Sequence, residues 1–336
     1  MRIDAYTHFI PEKFFKKLVE SEHADIGKRV REIPCIYDLE VRRKVVDQFE
    51  DYAQILSYPM PPLELLAKGE QVEEYAKLVN DGFAEICAKY PDYFPGWVAQ
   101  NALAAPDAGV REATRAIKNG ALGVQIHTNV AGRPLDDPAF EPFFAAMNKL
   151  NKPIWMHPAR AANFPDYLSE KKSKYEIWWT LGWSYETTAA MARLVFSRTL
   201  DKYPNLKIIT HHFGGIVPML EGRIGPGWDQ LGSRTSDEDL TVVLKSLKKR
   251  PLDYFKHDFY TDTAVFGGEP ATRAGVAFYD LDKIVFASDC PFDPEKGTMY
   301  TRETLRIIEG LDMPKANKEK IWHGNLEAIT DVKFPT

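Results

Sequence analysis

Short runs of apolar and β-branched residues recur along the chain, and most are followed by a longer segment with apolar residues three or four positions apart. The short runs are typical of buried parallel strands, and the longer segments are typical of helices packed against a sheet. Eight repeats of strand then helix predict an α/β fold, a (β/α)8 TIM barrel. The predicted strands are Arg2–His8, Ala53–Tyr58, Phe94–Ala99, Leu122–His127, Pro153–His157, Lys207–His211, Phe259–Thr263 and Ile284–Ser288.

Helical spacing predicts the segments that separate these strands. The clearest predicted helices are Val72–Lys89, Gly109–Asn119, Ala139–Leu150, Thr187–Tyr203 and Arg302–Glu309. Two connections are too long for simple crossovers, Ile10–Gln48 after the first strand and Ala159–Glu186 after the fifth. Insertions that follow a barrel strand lie on the catalytic face, so we expect both to form lids or pocket walls.

Composition narrows the class of protein. The chain has 336 residues, 44% hydrophobic and 27% charged, and we find no linker or internal repeat, so we predict one domain over residues 1–336. The net charge is −5, and the longest basic cluster is Lys248-Lys249-Arg250, which argues against a nucleic-acid partner. We predict no signal peptide and no membrane span. Three scattered cysteines without CxxC spacing favour a reducing, cytoplasmic setting.

Ionisable residues end several of the predicted strands. They are His8, His127, His157, His211, His212 and Asp289. A lone histidine at a strand end usually bonds a neighbouring backbone carbonyl, and we interpret His127 and His211 in that way when each is taken alone. His8, His157, His212 and Asp289 together indicate chemistry, because strand ends meet at one mouth of a barrel. Imidazole and carboxylate are the donors that a catalytic divalent metal needs.

Several segments make the chain similar to a known family. They are Ile3–His8, Gly123–Ile126, His157-Pro158, His212–Gly215 with Pro218 and Gly222-Arg223, Ala287–Pro291 and His323–Asn325. In their order and spacing they resemble the mononuclear barrel decarboxylases of the amidohydrolase superfamily, which include aminocarboxymuconate-semialdehyde decarboxylase and γ-resorcylate decarboxylase. The resemblance spans nearly the whole chain.

This resemblance implies roles for individual residues. It implies that His8, His157 and Asp289 hold one divalent metal, for which zinc is our first expectation and manganese our second. It implies that His212 bonds a metal-bound water or moves a proton, so that Asp289 and His212 are the expected catalytic residues. Arg42 is expected to bind the carboxylate of a small substrate. Arg223 is expected to reach into the pocket of a neighbouring subunit, which implies a homodimer.

Some of these roles have simpler alternatives. Arginine suits a carboxylate because its planar fork makes two charge-assisted hydrogen bonds, yet Arg42 also fits a solvated helix residue. Phe213 and Trp178 are expected substrate contacts. Aromatic residues of the second insertion, Trp178, Trp179, Trp183 and Tyr185, fit an aromatic wall around a planar substrate and equally fit a small satellite core or a subunit contact.

Tyr6 departs from the family pattern, which has His or Glu two residues before the first-strand histidine. Side chains two apart on a strand face the same way, so Tyr6 is expected to point toward the metal beside His8. A phenol with a pKa of about 10 is a poor ligand unless the metal deprotonates it. We therefore expect Tyr6 to contact substrate or water.

Three functions are compatible with these patterns. The leading hypothesis is non-oxidative decarboxylation of a small aromatic or unsaturated carboxylic acid. The second is metal-dependent hydrolysis or hydration, as in related amidohydrolase barrels. The third is a metal-free binding protein. A barrel that has lost its metal could have a poor ligand such as Tyr6 at this position. The chain lacks the GxSxG, GxGxxG and GxxxxGK motifs, which argues against triad hydrolases and phosphate-binding enzymes.

Overall fold

The computed structural model describes residues 1–20 and 28–335 of the chain. Residues 21–27, which belong to the first predicted insertion, and residue 336 lie outside the described residues. Eight strands form one sheet in which each strand is hydrogen-bonded to the next along the chain and runs parallel to it. They are β1 (Arg2–His8), β2 (Tyr52–Ser57), β3 (Gly96–Gln100), β4 (Gly123–His127), β5 (Ile154–His157), β6 (Ile208–Thr210), β7 (Tyr260–Asp262) and β8 (Ile284–Val285).

Backbone hydrogen bonds join the two edges of this sheet. The Ala5 N–H donates to the Phe286 carbonyl at 2.8 Å, and the His8 N–H donates to the Cys290 carbonyl at 2.8 Å. The first strand is thereby linked to the segment that continues β8. The predicted (β/α)8 barrel is confirmed, and its strands lie within a few residues of the predicted ones.

Helices occupy the segments between the strands. The α-helices of the described residues are Glu12–Glu20, Lys28–Arg31, Leu39–Val46, Glu70–Lys89, Pro106–Lys118, Glu141–Leu150, Ile177–Thr180, Gly182–Phe196, Thr199–Lys202, Glu221–Trp228, Thr241–Ser246, Pro251–His257, Glu269–Phe278, Met299–Glu309, Lys315–Glu319 and Asn325–Thr330. The prediction of one helix over Thr187–Tyr203 is wrong, because Arg198 has a φ of 63° and separates two helices. None of the described helices is long and apolar enough to cross a membrane.

Apolar side chains fill both sides of the strands. One buried cluster lies inside the barrel and includes Ile3, Val98, Trp155 and Ile209. A larger cluster lies between the strands and the surrounding helices. Alternate residues of a strand face opposite sides, so each strand contributes to both clusters. The interior cluster forms an apolar floor beneath the polar ends of the strands.

Three long connections leave the carboxyl ends of strands. Residues 9–51 connect β1 to β2, and residues 158–207 connect β5 to β6. A third long connection, residues 211–259 between β6 and β7, was not predicted from the sequence. All three begin on the face of the barrel where parallel strands present their catalytic residues.

Candidate metal centre

A buried carboxylate lies among histidines at the carboxyl end of the barrel. The Oδ1 atom of Asp289 is 3.0 Å from His8 Nε2 and 3.4 Å from His211 Nε2, and Oδ2 is 3.7 Å from His212 Nε2. The His157 ring centroid is 5.3 Å from that of His8 and 5.5 Å from that of His211. All five side chains are buried. The structure therefore brings together the residues predicted to hold metal and to catalyse, and adds His211.

Two overlapping groups of three residues have the spacing of a metal site. In the described part of the chain, one potential ligand atom from each of His8, His157 and His211 lies within 4.8 Å of the others, and the same holds for His211, His212 and Asp289. His211 belongs to both groups. Its interpretation as a histidine that bonds a backbone carbonyl is wrong, because its Nδ1 contacts the Asp262 carboxylate.

The Nδ1 atoms of two histidines are bonded outside the cluster. His157 Nδ1 lies 2.7 Å from the Pro158 carbonyl, so it must carry the proton and donate it. His8 Nδ1 lies 3.0 Å from Ser57 Oγ, whose own proton goes to the Thr7 carbonyl at 2.9 Å. Ser57 must then accept from His8. Each neutral ring consequently turns an Nε2 lone pair toward the cluster.

His211 has the same arrangement, with a carboxylate as its partner. Its Nδ1 lies 2.5 Å from Asp262 Oδ2, while Asp262 Oδ1 accepts the backbone N–H groups of His212 at 2.9 Å and Ala264 at 3.1 Å. When neutral, His211 also presents an Nε2 lone pair. Three imidazole nitrogens and the Asp289 carboxylate then lie in one buried cluster as acceptors. His8, His157 and His211 have the spacing to share one cation, and so, as a second group, do His211, His212 and Asp289.

The protonation states agree with a set of metal ligands, which must be deprotonated. Burial lowers the pKa of His8, His157 and His212. Burial opposes charge on Asp289, yet its contacts with the histidines hold its pKa well below the ordinary value. His211 differs, because Asp262 and Asp289 outweigh the effect of burial and raise its pKa to about 9. A proton on His211 and a divalent cation are thus two ways to supply positive charge here.

Backbone strain occurs at three residues in or beside the candidate metal centre. His212, Phe213 and Asp289 have φ values of 58°, 51° and 65°, in the left-handed region that non-glycine residues rarely adopt. Gly215 follows with a φ of 74°, and a Cβ atom there would lie 2.1 Å from the Ser184 carbonyl oxygen. This close approach explains why glycine is needed at position 215, and the surrounding packing must stabilise the strained turn.

Tyr6 lies beside the histidines, as expected, but its hydroxyl points elsewhere. Its ring centroid is 4.5 Å from that of His211 and 5.1 Å from that of His8. Its hydroxyl donates to Gln125 Oε1 at 2.8 Å. Burial, together with Asp262 and Asp289, raises the pKa of Tyr6 well above 10, so the phenol is neutral.

Aromatic rings surround the histidines. Trp183 lies 5.5 Å from His157 between ring centroids, and Trp178 lies 5.8 Å from Trp183. On other sides, Phe292 is 5.5 Å from His8, and Phe266 is 4.9 Å from His212. Sequence reasoning did not single out Phe266 or Phe292, whose positions depend on how the loops fold over the mouth.

The other predicted contacts lie in different environments. Arg42 is fully buried, and its Nε donates to Gln54 Oε1 at 2.7 Å, which excludes the alternative of a solvated helix residue. Its Nη2 atom has no hydrogen-bond partner among residues 1–20 and 28–335. Phe213 packs in the core against Gly275 and Tyr279, so its position does not support the predicted substrate contact. Arg223 is exposed on the helix Glu221–Trp228.

His127 ends β4 beside the cluster without belonging to it. Its ring centroid lies 5.7 Å from that of His157, and its buried Nε2 has no hydrogen-bond partner. Burial and the charge of His8 lower its pKa to about 3. His127 is therefore a neutral neighbour of the candidate metal centre.

Comparison with known proteins shows the family of this chain. The family model described as amidohydrolase matches residues 3–329. The chain belongs to the amidohydrolase family. It is 26% identical to the 2-amino-3-carboxymuconate-6-semialdehyde decarboxylase of Dictyostelium discoideum, over 97% of this chain and 90% of that protein. It is 30% identical to the γ-resorcylate decarboxylase of Rhodococcus jostii, over 76% of this chain and 77% of that protein.

A solved decarboxylase structure shares the fold of this chain. The 5-carboxyvanillate decarboxylase of Novosphingobium aromaticivorans, solved with bound manganese, has a TM-score of 0.81 at 24% identity and covers 99% of this chain and 97% of its own. These findings confirm the family resemblance predicted from the sequence.

Proposed function

We propose that this amidohydrolase is a metal-dependent, non-oxidative decarboxylase, a carbon–carbon lyase that removes CO2 from a small aromatic or unsaturated carboxylic acid. The observation that carries the proposal is the convergence of buried imidazole nitrogens with the Asp289 carboxylate at the mouth of the barrel. Both relatives described above are decarboxylases by name, which supports the same reaction type here.

We assign His8, His157 and Asp289 as ligands of one divalent ion. Zinc and manganese both accept nitrogen and oxygen ligands, and manganese in the related solved structure makes it a natural ion to test beside zinc. A bound ion would polarise substrate oxygens as a Lewis acid and lower the pKa of bound water. The unpartnered Nε2 of His8, fully buried and 3.0 Å from Asp289 Oδ1, fits such an ion.

Decarboxylation needs a proton at the carbon that loses CO2. When the bond to the carboxylate breaks, its electron pair stays on that carbon, which must then be protonated. His212 Nε2 is buried without a hydrogen-bond partner and lies 3.7 Å from Asp289 Oδ2. We assign Asp289 and His212 to this proton transfer, since a positioned acid or base acts within hydrogen-bond reach of the reacting atom.

The surroundings of the cluster suit a planar substrate. Trp178 and Trp183 extend from His157, and Phe292 lies against His8. Flat apolar walls with a few convergent polar groups are the usual composition of a small-molecule site. We propose that these rings and the ring of Tyr6 flank the substrate.

A buried arginine is available for a carboxylate. Arg42 is fully buried, and its Nη2 has no acceptor among the described residues. A buried guanidinium nitrogen without a partner is costly unless an acceptor binds it. We propose that the substrate carboxylate is that acceptor.

We propose a homodimer in which Arg223 serves the neighbouring pocket. Among the described residues, no hydrogen bond or ion pair involves the Arg223 side chain. The second insertion exposes large apolar side chains, namely Tyr167, Leu168, Tyr175, Leu181 and Tyr185, as a subunit interface would. Mixing inactive Arg223→Ala with inactive Asp289→Asn should restore activity, because one pocket of the mixed dimer would be complete. No recovery in verified mixed dimers would contradict this assignment.

Free thiols agree with the predicted cellular setting. Cys35, Cys87 and Cys290 are all free, and Cys35 and Cys290 are buried. Reducing compartments keep thiols in this form. We propose a cytoplasmic enzyme whose partner is a small carboxylic acid.

The first experiment is the metal content of protein purified without added metal or chelator, followed by a screen for CO2 release. About one zinc or manganese per chain, with CO2 from an aromatic or unsaturated acid, is the expected result. The variant His157→Ala should lose both. The control His257→Ala, an exposed histidine paired with Asp280, should keep both.

Two outcomes of this screen would contradict the proposal. A product that has gained water without losing CO2 would indicate a hydrolase or hydratase. A chain that binds no metal even after reconstitution, yet binds an aromatic acid tightly without converting it, would indicate a binding protein.

A further inference from the structure

His211 and Tyr6 occupy adjacent places in the cluster but differ in what they offer a metal. Their ring centroids are 4.5 Å apart, and both side chains are fully buried. Tyr6 lies in β1 two residues before His8, at the position where the family pattern has His or Glu. His211 follows β6 and was not expected to coordinate anything.

The Tyr6 hydroxyl makes a hydrogen bond outside the histidine cluster. It donates to Gln125 Oε1 at 2.8 Å. The Gln125 amide group in turn donates to the Tyr58 carbonyl at 2.8 Å and to Gln100 Oε1 at 3.0 Å. These two bonds fix the orientation of the amide, so Gln125 Oε1 must accept from Tyr6. Deprotonating Tyr6 for coordination would leave this acceptor unpaired in the barrel interior.

The His211 ring, unlike the Tyr6 hydroxyl, is held with a nitrogen toward the cluster. Asp262 Oδ2 binds Nδ1 at 2.5 Å, and Asp262 Oδ1 is held by the backbone N–H groups of His212 and Ala264. Nε2 therefore points into the cluster, 3.4 Å from the Asp289 oxygen that lies 3.0 Å from His8 Nε2. A carboxylate that anchors the second nitrogen is the usual support of a metal-binding histidine.

We infer that His211 is a metal ligand of this chain, a fourth protein donor beside His8, His157 and Asp289, and that Asp262 is its positioning residue. The inference rests on the metal site of the proposed function. His211 thereby replaces a first-strand ligand that Tyr6 cannot supply. The rival state of the same geometry is a protonated His211 paired with Asp262 and Asp289, which binds no metal.

The test counts ligands directly. The full chain is stripped with a chelator and loaded with cobalt(II) or zinc, and X-ray absorption is used to count the bound imidazoles. Three imidazoles per metal are expected, and two would overturn the inference. This measurement needs no variant, so it does not depend on whether a substituted chain folds.

Variants give a second readout. His211→Ala should weaken metal binding in equilibrium dialysis and change the visible spectrum of the cobalt(II) form. Asp262→Asn should weaken binding about 10- to 100-fold, as loss of an outer partner usually does. The matched control His127→Gln removes a buried strand-end histidine outside both ligand groups, and its affinity and spectrum should stay close to those of the unaltered chain. Wild-type affinity and spectrum in a folded His211→Ala chain would overturn the inference.

These readouts separate the inference from the proposed reaction. A chain that binds metal through three imidazoles but releases CO2 from no acid would support the inference and contradict the decarboxylase proposal. A chain that releases CO2 with only two imidazoles on the metal would do the reverse. A chain that binds no metal would overturn both.

Discussion

Two buried carboxylates, Asp4 and Asp289, lie on either side of Ser288 and have opposite surroundings. Asp4 accepts hydrogen bonds from the Ser288 hydroxyl at 2.5 Å, the Ser288 N–H at 3.0 Å and the Tyr52 hydroxyl at 2.6 Å. Asp289 faces imidazole nitrogens that neutral histidines present as acceptors. The first carboxylate has enough donors to complete its hydrogen bonding within the protein, whereas the second requires a proton or a cation.

This contrast separates a structural network from a reactive one. From Asp4 the network continues through Tyr52 to the Gln54 amide, which donates to the Tyr52 hydroxyl at 2.8 Å, and then to Arg42. It links β1, β2 and the helix Leu39–Val46. The hydrogen bonds around Asp4 are satisfied, whereas Arg42 Nη2 at the far end of this network has no partner among the described residues. Satisfied polar groups rigidify a fold, and an unsatisfied buried group marks a place where a ligand can bind.

The largest expected effect comes from replacing Asp289, the carboxylate that lacks donors. Asp289→Asn keeps the size of the side chain but removes its charge and its capacity to move a proton. CO2 release should fall about 10²- to 10⁴-fold, as expected for loss of a general acid or base, and metal affinity should fall with it. The measurement is the turnover rate at saturating metal, with metal content checked in the same sample. Near-normal turnover in metal-loaded Asp289→Asn would remove Asp289 from the proton transfer.

The two carboxylates should respond to pH with opposite signs. Burial outweighs the hydrogen bonds from Ser288 and Tyr52 and raises the pKa of Asp4 from 3.8 to about 6. A raised carboxyl pKa means that the folded state binds the proton more tightly. The contribution of Asp4 to stability is therefore full below 3.8 and is lost as pH rises through about 6, a change of about 3 kcal/mol. The depressed pKa of Asp289 acts in the other direction, because its contribution is present above 3.8 and is lost in stronger acid.

Urea unfolding of the unaltered chain and of Asp4→Asn across this pH window checks the sign. The stability difference between them should shift against the unaltered chain as pH rises. A constant difference would show that Asp4 keeps the same charge in the folded and unfolded states.

A smaller effect is expected from removing one donor of the satisfied network. Ser288→Ala leaves the buried Asp4 carboxylate without its shortest hydrogen bond and should lower the free energy of unfolding by about 1–3 kcal/mol. Metal content should be unchanged, because Asp289 itself is retained. The control Ser197→Ala removes the hydroxyl of an exposed serine that bonds Leu194 and Thr199 in a connecting turn. Loss of metal without loss of stability in Ser288→Ala would reverse the roles given to the two carboxylates.

The smallest expected effect concerns the aromatic wall. Trp183→Leu removes the ring that lies 5.5 Å from His157 and should weaken binding of an aromatic acid by about 0.5–1.5 kcal/mol. The effect should appear in KM more than in kcat. Trp179→Leu, in the same insertion but with its ring 6.3 Å from Trp183, should change KM less. Equal effects of the two substitutions would favour a satellite core over a substrate wall.

The eight strands and the chemical types at their ends could be predicted because both depend on local sequence. Apolar runs of strand length predicted the barrel, and barrel closure then brought His8, His157 and Asp289 to one mouth. The roles of Arg42 and Phe213 depend on packing between distant segments. Arg42 was expected on a helix surface or at the substrate, and it lies fully buried against Gln54. No local pattern indicates such a partner.

The sequence by itself determined the fold, the family and the residue types of the site, since strand periodicity and motif spacing are properties of the chain alone. Only the tertiary structure decided that His211, rather than His212, groups with His8 and His157 at the spacing of a metal site. The strand ends at Thr210 and turns at His212 into left-handed conformations, so strand alternation no longer predicts where each side chain points. Asp262 orients the His211 ring, and Gln125 accepts the hydrogen bond of the Tyr6 hydroxyl. Both partners come from other strands, so these contacts form only when the barrel closes.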